Sequence, residues 1–515
     1  MTKNNLVFFI ILGMFVILQN FLDISINNQL SAIICFISSV VSIAYINKKM
    51  KAGYFLSLIP IISVMVATQL GPLFIQTLYF TPVSFNLRLS YLTFVYTSLL
   101  LMSLIVGHFI YTNSRKCHKL ESTARNILKN KTNILDEVSG GFVLLGSFVA
   151  FFSIYFGAVS DIETGDVGGR SLLMFQFLYM LPLAYFFQGI QNGSKPQIWY
   201  FKTIIIYFVV IIGLGIIKNS RGLYANVFLC FLLLLFYLVY TKKIIITSKF
   251  VALIVLLSGP FLFLINSLNK ISEAMLSTRS IRGDVRGVNL FNETLSQVKA
   301  PVSNNYQNFI QEGYLNSYGY NEYYVENNYI GRLITIKYDD NVFFYSRLIS
   351  EDKYFELNIF FINKLISTVP QNIINLFSLD FNKDNYFYSY GDWVYYLSTG
   401  GAVGGFKLGS ITGSGLNLFG FFFYVVVIFT SPLVFLILES LATRYKSEFM
   451  YNRGERMVYQ SKLSAISILF IFSFYNLFNI DSLMNSFSFF LRGFWQNVFI
   501  FASLLFFYRI FFAKK

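Results

Sequence analysis

The sequence predicts an all-α polytopic membrane protein of about twelve transmembrane helices, with one large, mostly helical outer loop late in the chain. Three observations carry this. Of 515 residues, 55% are hydrophobic and only 13% carry a charge, whereas a soluble chain holds about 25% charged residues to clothe its surface. Apolar runs of about 17–23 residues recur from end to end, each long enough to cross a hydrocarbon core of about 30 Å. Lysine and arginine fall in alternate connections between those runs, which is the pattern that fixes orientation in a bilayer.

Taken in order, the runs are 6–22, 30–46, 53–70, 90–112, 140–158, 171–190, 203–217, 223–240, 248–266, 418–440, 461–480 and 493–511. The first follows Lys3 and has the look of a signal peptide. No small-residue cleavage site comes after it, only Asn20, Phe21, Leu22 and Asp23, so it is expected to be a retained helix. The chain thus divides into helices 1–9 over 1–266, the loop over 267–417, and helices 10–12 over 418–515.

The net charge of +15 raises the possibility of nucleic-acid binding. Placing both termini in the cytoplasm puts about 23 Lys and Arg on the inner side and about five in the short outer connections, so the excess reflects topology and no nucleic-acid partner is expected. The inner groups include Lys48, Lys49, Arg115, Lys116, Arg444 and Lys515; the outer ones are Arg88, Arg170, Lys218, Arg221 and Arg492. Cys35 and Cys230 lie within spans and Cys117 in an inner connection, which leaves the outer loop without a disulfide staple.

The loop opens on Arg279, Arg282 and Arg286 and continues through a tyrosine-rich stretch. From Tyr354 to Ser378 its apolar pattern suits one or two helices lying on the membrane surface, broken at Pro370. Tyr388, Tyr390 and Trp393 then lead into a glycine-rich run from Gly400 to Gly420.

Four constellations could carry chemistry. Lys218, Asn219, Ser220, Arg221 and Gly222 form a hairpin too short to leave the membrane surface. It holds Arg221 beside a helix start, where a guanidinium and free N–H groups can cradle phosphate oxygens; the alternative is an anchor reaching toward lipid head groups. Arg279, Arg282 and Arg286 recur at i, i+3 and i+7, one face of a helix, and form either an anion clamp or a solvated basic face. Asp161, Glu163, Asp166 and Arg170 share one outer connection, and Asp166 or Asp392 could supply a general base whose pKa its surroundings tune. The aromatic faces of Tyr388, Tyr390 and Trp393 suit the C–H faces of sugar rings. Tyrosine is also enriched at every membrane interface.

There is no P-loop, so no ATP site is expected. The only histidines, His108 and His118, fall at or near the inner face. The first outer connection, Asp23 to Asn28, lacks the paired acidic motif of metal-dependent sugar transferases.

Together these features resemble the Wzy-type polymerases of bacterial O-antigens and capsules, relatives of the O-antigen ligases. Ser220-Arg221-Gly222 is similar to that family's Ser-Arg-Gly motif, and Gly409-Ser410 followed by Phe419-Gly420 to its Gly-Ser…Phe-Gly pattern. Gly400 to Gly404 is similar to another glycine turn of the group. Two departures stand out: the outer histidine of ligases is missing, and Ser414 stands about where many polymerases carry a glutamate.

The resemblance implies a GT-C-like membrane glycosyltransferase fold in the bacterial inner membrane. It implies a metal-independent transfer without a cofactor, in which a lipid-linked repeat unit attacks a glycan on undecaprenyl diphosphate. Arg221, with Arg170, Arg279, Arg282 and Arg286, would bind the diphosphate, and Asp166 or Asp392 would be the base. Implied partners are the lipid-linked glycans, membrane lipids, a chain-length regulator and a flippase. The sequence leaves open a flippase or a ligase-type transferase instead; a flippase fits the span number but not a loop of about 150 residues.

Overall fold

The computed structural model describes residues 3–159, 172–191, 198–241, 266–275, 277–278, 287–299, 319–327, 330–369, 371–376, 381–386, 388–404, 407–451, 454–479 and 482–512. The protein is a helical bundle. Before the loop come α1 Lys3–Leu22, α2 Ile26–Met50, α3 Leu56–Leu78, α4 Ser90–Asn113, α5 Arg115–Asn130, α6 Gly140–Val159, α7 Leu181–Gln191, α8 Ile198–Ile217 and α9 Arg221–Tyr240. The loop contributes α10 Gly287–Lys299, α11 Ile336–Ser346, α12 Glu351–Ser367, α13 Tyr390–Thr399 and α14 Ile411–Phe419. After it come α15 Phe422–Ser440, the strands β1 Ala442–Tyr451 and β2 Gly454–Leu463, α16 Ala465–Asn476 and α17 Leu483–Phe511.

Seven of the described helices are long and apolar enough to cross a membrane: α2, α3, α4, the Gly140–Gly157 part of α6, α9, α15 and α17. Shorter apolar helices lie at Phe8–Leu22, Lys202–Ile217 and Ala465–Asn476. The expected span at 171–190 is helical from 172 to 191, its Met174–Met180 part being 3₁₀ before α7; the expected span at 248–266 lies almost wholly outside the described residues. The surface helix expected over 354–378 begins at Glu351 and breaks after Ser367, with a short helix at Gln371–Leu376 beyond Pro370. Phe355, Ile359 and Ile362 form an exposed apolar stripe on α12.

One element was not legible. β1 and β2 pair antiparallel, from Ala442 against Leu463 to Tyr451 against Gly454. The all-α expectation therefore needs one hairpin added.

The two ends of the bundle are distinct, as alternating charge requires. At one end Lys49 donates to Thr112 (2.6 Å), Lys462 pairs with Glu137 (2.7 Å) and Arg509 with Asp136 (3.1 Å). Arg444 of the hairpin bridges Glu121 at 2.8 Å and Glu439 at 3.7 Å there, holding two buried carboxylates with one guanidinium. At the other end the Val83 N–H donates to Gln19 (2.8 Å), and the loop is tied down by Leu89 N–H donating to Asp340 (2.8 Å). Asp340 also accepts from Arg88 N–H at 2.9 Å and from Lys337 at 3.1 Å. A loop carboxylate thus caps the otherwise unsatisfied start of α4.

α4 packs between α2 and α15. A methyl group at Gly107 would overlap the Ser431 hydroxyl, so this crossing depends on small residues letting two backbones approach. α3 is the most enclosed of the candidate spans and carries a π-helical turn at Val66–Leu70. Such a turn sets a carbonyl apart from the regular ladder, and here Ala67 O accepts from Thr335 N–H of the loop (3.1 Å). The loop therefore enters the bundle, and almost every residue of α11 is buried.

Candidate functional site

The site starts with the hairpin between α8 and α9. Asn219 adopts a left-handed backbone (φ 47°), which asparagine tolerates better than most residues. Ser220 N–H then donates to Gly215 O (2.8 Å) and Asn219 N–H to Ile216 O (2.9 Å). This pair of bonds closes the last turn of α8 as a Schellman motif. The chain reverses at once, so that α9 begins on Arg221. The Ser220 side chain makes no capping bond, and the positive end of the α9 dipole is left to whatever lies before it.

What lies before it is a cavity of about 370 Å³. Ser220, Arg221 and Gly222 form one wall, and Arg221 Nη1 donates to Ser272 Oγ (3.0 Å) of the helical segment 266–275. Arg332, Thr335 and Tyr338 of the loop also line it, as do Asn476 and Asn479 at and just beyond the end of α16. Leu408 and Gly409 complete the wall; the Leu408 N–H donates to Glu322 Oε1 (3.1 Å), and its carbonyl accepts from Tyr320 (2.8 Å).

Two arginines belong to this one cavity lining, Arg221 and Arg332. Burial pushes the Tyr338 hydroxyl up to about 12, while the charges of Arg332 and Arg221 both pull it down. One phenol therefore feels both cations. Around them are buried polar atoms with no partner: Asn219 Nδ2, Thr335 Oγ1, Asn476 Nδ2 and Asn479 Oδ1. Asn219, Thr335, Asn476 and Asn479 all belong to the cavity lining, so its wall is polar as well as cationic. Two cations, a helix N-terminus and amide groups suit a polyanion that also bears hydroxyls.

No family model, curated protein or solved structure matches this chain.

The Gly-Ser…Phe-Gly pattern proves to be one short helix from cap to cap. Ser410 Oγ accepts from Gly413 N–H (2.9 Å) at the start of α14, and Gly420 ends it at φ 55°. Ser410 also donates to Asp339, which is wholly buried. Burial raises the Asp339 carboxyl to about 7, against the hydrogen bonds from Ser410 and Thr412. At Ser414, where a glutamate was expected by resemblance, a buried hydroxyl accepts from Leu483 N–H (2.9 Å). The carboxylate of this neighbourhood comes instead from Asp339, one residue after Tyr338.

Of the residues expected to form the site, Arg221 lines the cavity. Asp166, Arg170, Arg279, Arg282 and Arg286 lie outside the described residues. Asp392 is buried away from the cavity wall: it accepts from Ser389 (3.0 Å) and Lys407 N–H (3.2 Å) at the start of α13, and Lys407 Nζ stands 3.6 Å off. Tyr390 is fully buried with its hydroxyl accepting from Asn417 (2.9 Å). Trp393 stacks on Phe360 at 4.6 Å, and the Tyr388 carbonyl accepts from Lys364 (2.7 Å). Trp393 and Tyr388 tie this segment to α12, Tyr390 ties α13 to α14, and none of the three lines the cavity.

Sequence reasoning missed Arg332, Tyr338, Asn476 and Asn479. A signal existed for the asparagines, which interrupt an otherwise apolar run where polar groups are costly. None existed for Arg332, whose value comes from a fold that carries it to Arg221.

Proposed function

We propose that the chain is a polymerase that joins lipid-linked oligosaccharide repeat units at the outer face of a bacterial inner membrane. The observation that carries this is the cavity lined by Arg221, Arg332, the start of α9 and the side chains of Asn219, Asn476 and Asn479. In this proposal the diphosphate of the donor lipid lies between the two arginines, and the first sugars lie against Asn219, Asn476 and Asn479. A hydroxyl of the acceptor's terminal sugar attacks the anomeric carbon. The new C–O bond forms as the bond to the diphosphate oxygen breaks, and undecaprenyl diphosphate leaves with the electron pair. Preorganised cations accelerate that departure because the negative charge develops beside them. Glu322, which accepts from the cavity wall at Leu408, takes the acceptor proton in place of Asp392, whose oxygens are committed to the α13 start. The same proposal takes the spans as about twelve, the fold as GT-C-like and both termini as cytoplasmic.

Deleting the gene and separating surface glycan and lipid-linked intermediates on a gel tests this. Single repeat units on their final acceptor, with the ladder gone, support a polymerase. Long chains stranded on undecaprenyl diphosphate indicate a ligase. Single units trapped on the inner leaflet indicate a flippase and end the proposal.

A further inference from the structure

A second cation stands away from the cavity, on α17. Arg492 lies in a π-helical turn, Phe489–Gly493, and is exposed. Turns of this kind are frequent where a side chain has been re-aimed for function. Its Nε donates to Gln496 (3.3 Å) and its Nη1 to the carbonyl of Thr368 at the end of α12 (3.3 Å). A guanidinium carries five N–H donors, so the two bonds fix its plane and leave three donors for a guest. The space beside it is an open groove of about 540 Å³, lined by Leu173, Met174, Thr368, Ser488, Phe489 and Gln496 among others.

The same helix says what kind of guest. Leu491, Trp495 and Phe499 recur at i, i+4 and i+8 and are exposed at 67%, 56% and 72%, an apolar stripe on the arginine's own helix, outside the groove lining. A water-soluble anion has no use for that stripe. A lipid does: its chain lies along the stripe while its phosphate reaches the guanidinium, and tryptophan marks the interfacial level at which the two meet. One chain segment connects the groove with the hairpin of the first site. Met174 is two residues from Gln176, whose Oε1 accepts from Lys218 Nζ (2.9 Å), and Lys218 belongs to the hairpin that presents Arg221.

We infer that Arg492 and its groove form a second lipid-diphosphate site, which receives the acceptor lipid while the Arg221 cavity holds the donor. The site rests on its own geometry; its assignment to the acceptor rests on the polymerase proposal. A polymerase of this kind must hold two lipid-linked substrates at once, and two separate cationic sites provide for that.

The test is the number of undecaprenyl diphosphate molecules retained by the full chain in phosphatidylcholine nanodiscs, read by native mass spectrometry. Wild type is expected to retain two, Arg221→Ala one, Arg492→Ala one and the double variant none. Affinity at the second site should fall about 10- to 100-fold in Arg492→Ala, the loss expected for hydrogen bonds to a charged group. Arg492→Lys, which keeps the charge but not the fork, should fall between. Two molecules retained by Arg492→Ala would overturn the inference. One molecule in wild type, lost only in Arg221→Ala, would overturn it while leaving the first site standing. One molecule lost only in Arg492→Ala would keep this site and remove the cavity from the polymerase proposal. Displacement by phosphatidylglycerol at equal concentration would overturn it as well, by making Arg492 an ordinary phospholipid contact.

Discussion

Replacing Arg332 by alanine is the informative perturbation, because only the fold connects this residue with Arg221. Both guanidiniums line one cavity, so a diphosphate held there is expected to meet both. A unit charge about 4 Å away at an effective dielectric near 20 is worth about 4 kcal/mol. Arg332 is exposed on the cavity side and Arg221 only half-exposed, so solvent screens Arg332 more. On that basis Arg332→Ala should lower kcat/KM by about 30- to 100-fold and Arg221→Ala by about 100- to 1,000-fold, the range seen when one preorganised donor is removed. Because both cations face one group, the double variant should lose less than the product of the two, with a coupling of about 1–2 kcal/mol. The assay is extension of a defined lipid-linked repeat by the full chain in nanodiscs, with expression and melting temperature matched. Arg332→Ala within twofold of wild type, beside an inactive Arg221→Ala, would refute the shared-diphosphate geometry.

Three further predictions follow from neighbouring contacts. The Asp339 carboxyl lies at about 7 against an unfolded value of 3.8, so the folded state binds the extra proton between those values. Its stabilising effect is full below about 4 and is lost as pH rises through 7; the gap corresponds to roughly 4 kcal/mol. Wild type should therefore melt lower at pH 8 than at pH 5, and Asp339→Asn should flatten that difference; an unchanged slope in the variant would exclude Asp339 as its source. A methyl at Gly391 would stand 2.5 Å from the backbone carbonyls of Lys407 and Leu408, whereas one at Gly222 meets only Asn226, at 4.0 Å. Gly391→Ala should destabilise by about 2 kcal/mol and Gly222→Ala should fold normally yet lose activity, as paired melting and extension assays would show. Arg444→Ala leaves Glu121 and Glu439 buried without their shared cation and should cost about 3–5 kcal/mol; a melting temperature within 2 °C of wild type would contradict that, this degree range being about what 1 kcal/mol produces in a large chain.

Much of the bundle was legible because bilayer thickness sets a length that apolar runs must match. Arg221 was legible too, since a cation wedged between two apolar runs is conspicuous in one dimension. The rest of the cavity was not. Arg332 and Tyr338 reach it only because the loop backbone bonds into the π-turn at Ala67, a long-range contact with no local pattern. Asp392 drew attention as a carboxylate among aromatic residues, and that setting has a local cause: with Ser389 three residues earlier it caps α13. Tyr390 and Trp393 were read as sugar-stacking faces, but this loop has a packed interior of its own, and they are part of it. The hairpin Ala442–Leu463 escaped notice because its polar, basic composition matches an ordinary inner connection.

The most direct test of the central claim uses the purified full chain with a single lipid-linked repeat unit and no other protein. The account predicts a ladder of lengthening glycans and one undecaprenyl diphosphate released for each linkage formed, both lost in Arg221→Ala. A preparation that folds and binds the lipid, yet forms no linkage while moving it between the leaflets of a vesicle, would contradict the account and make the chain a transporter.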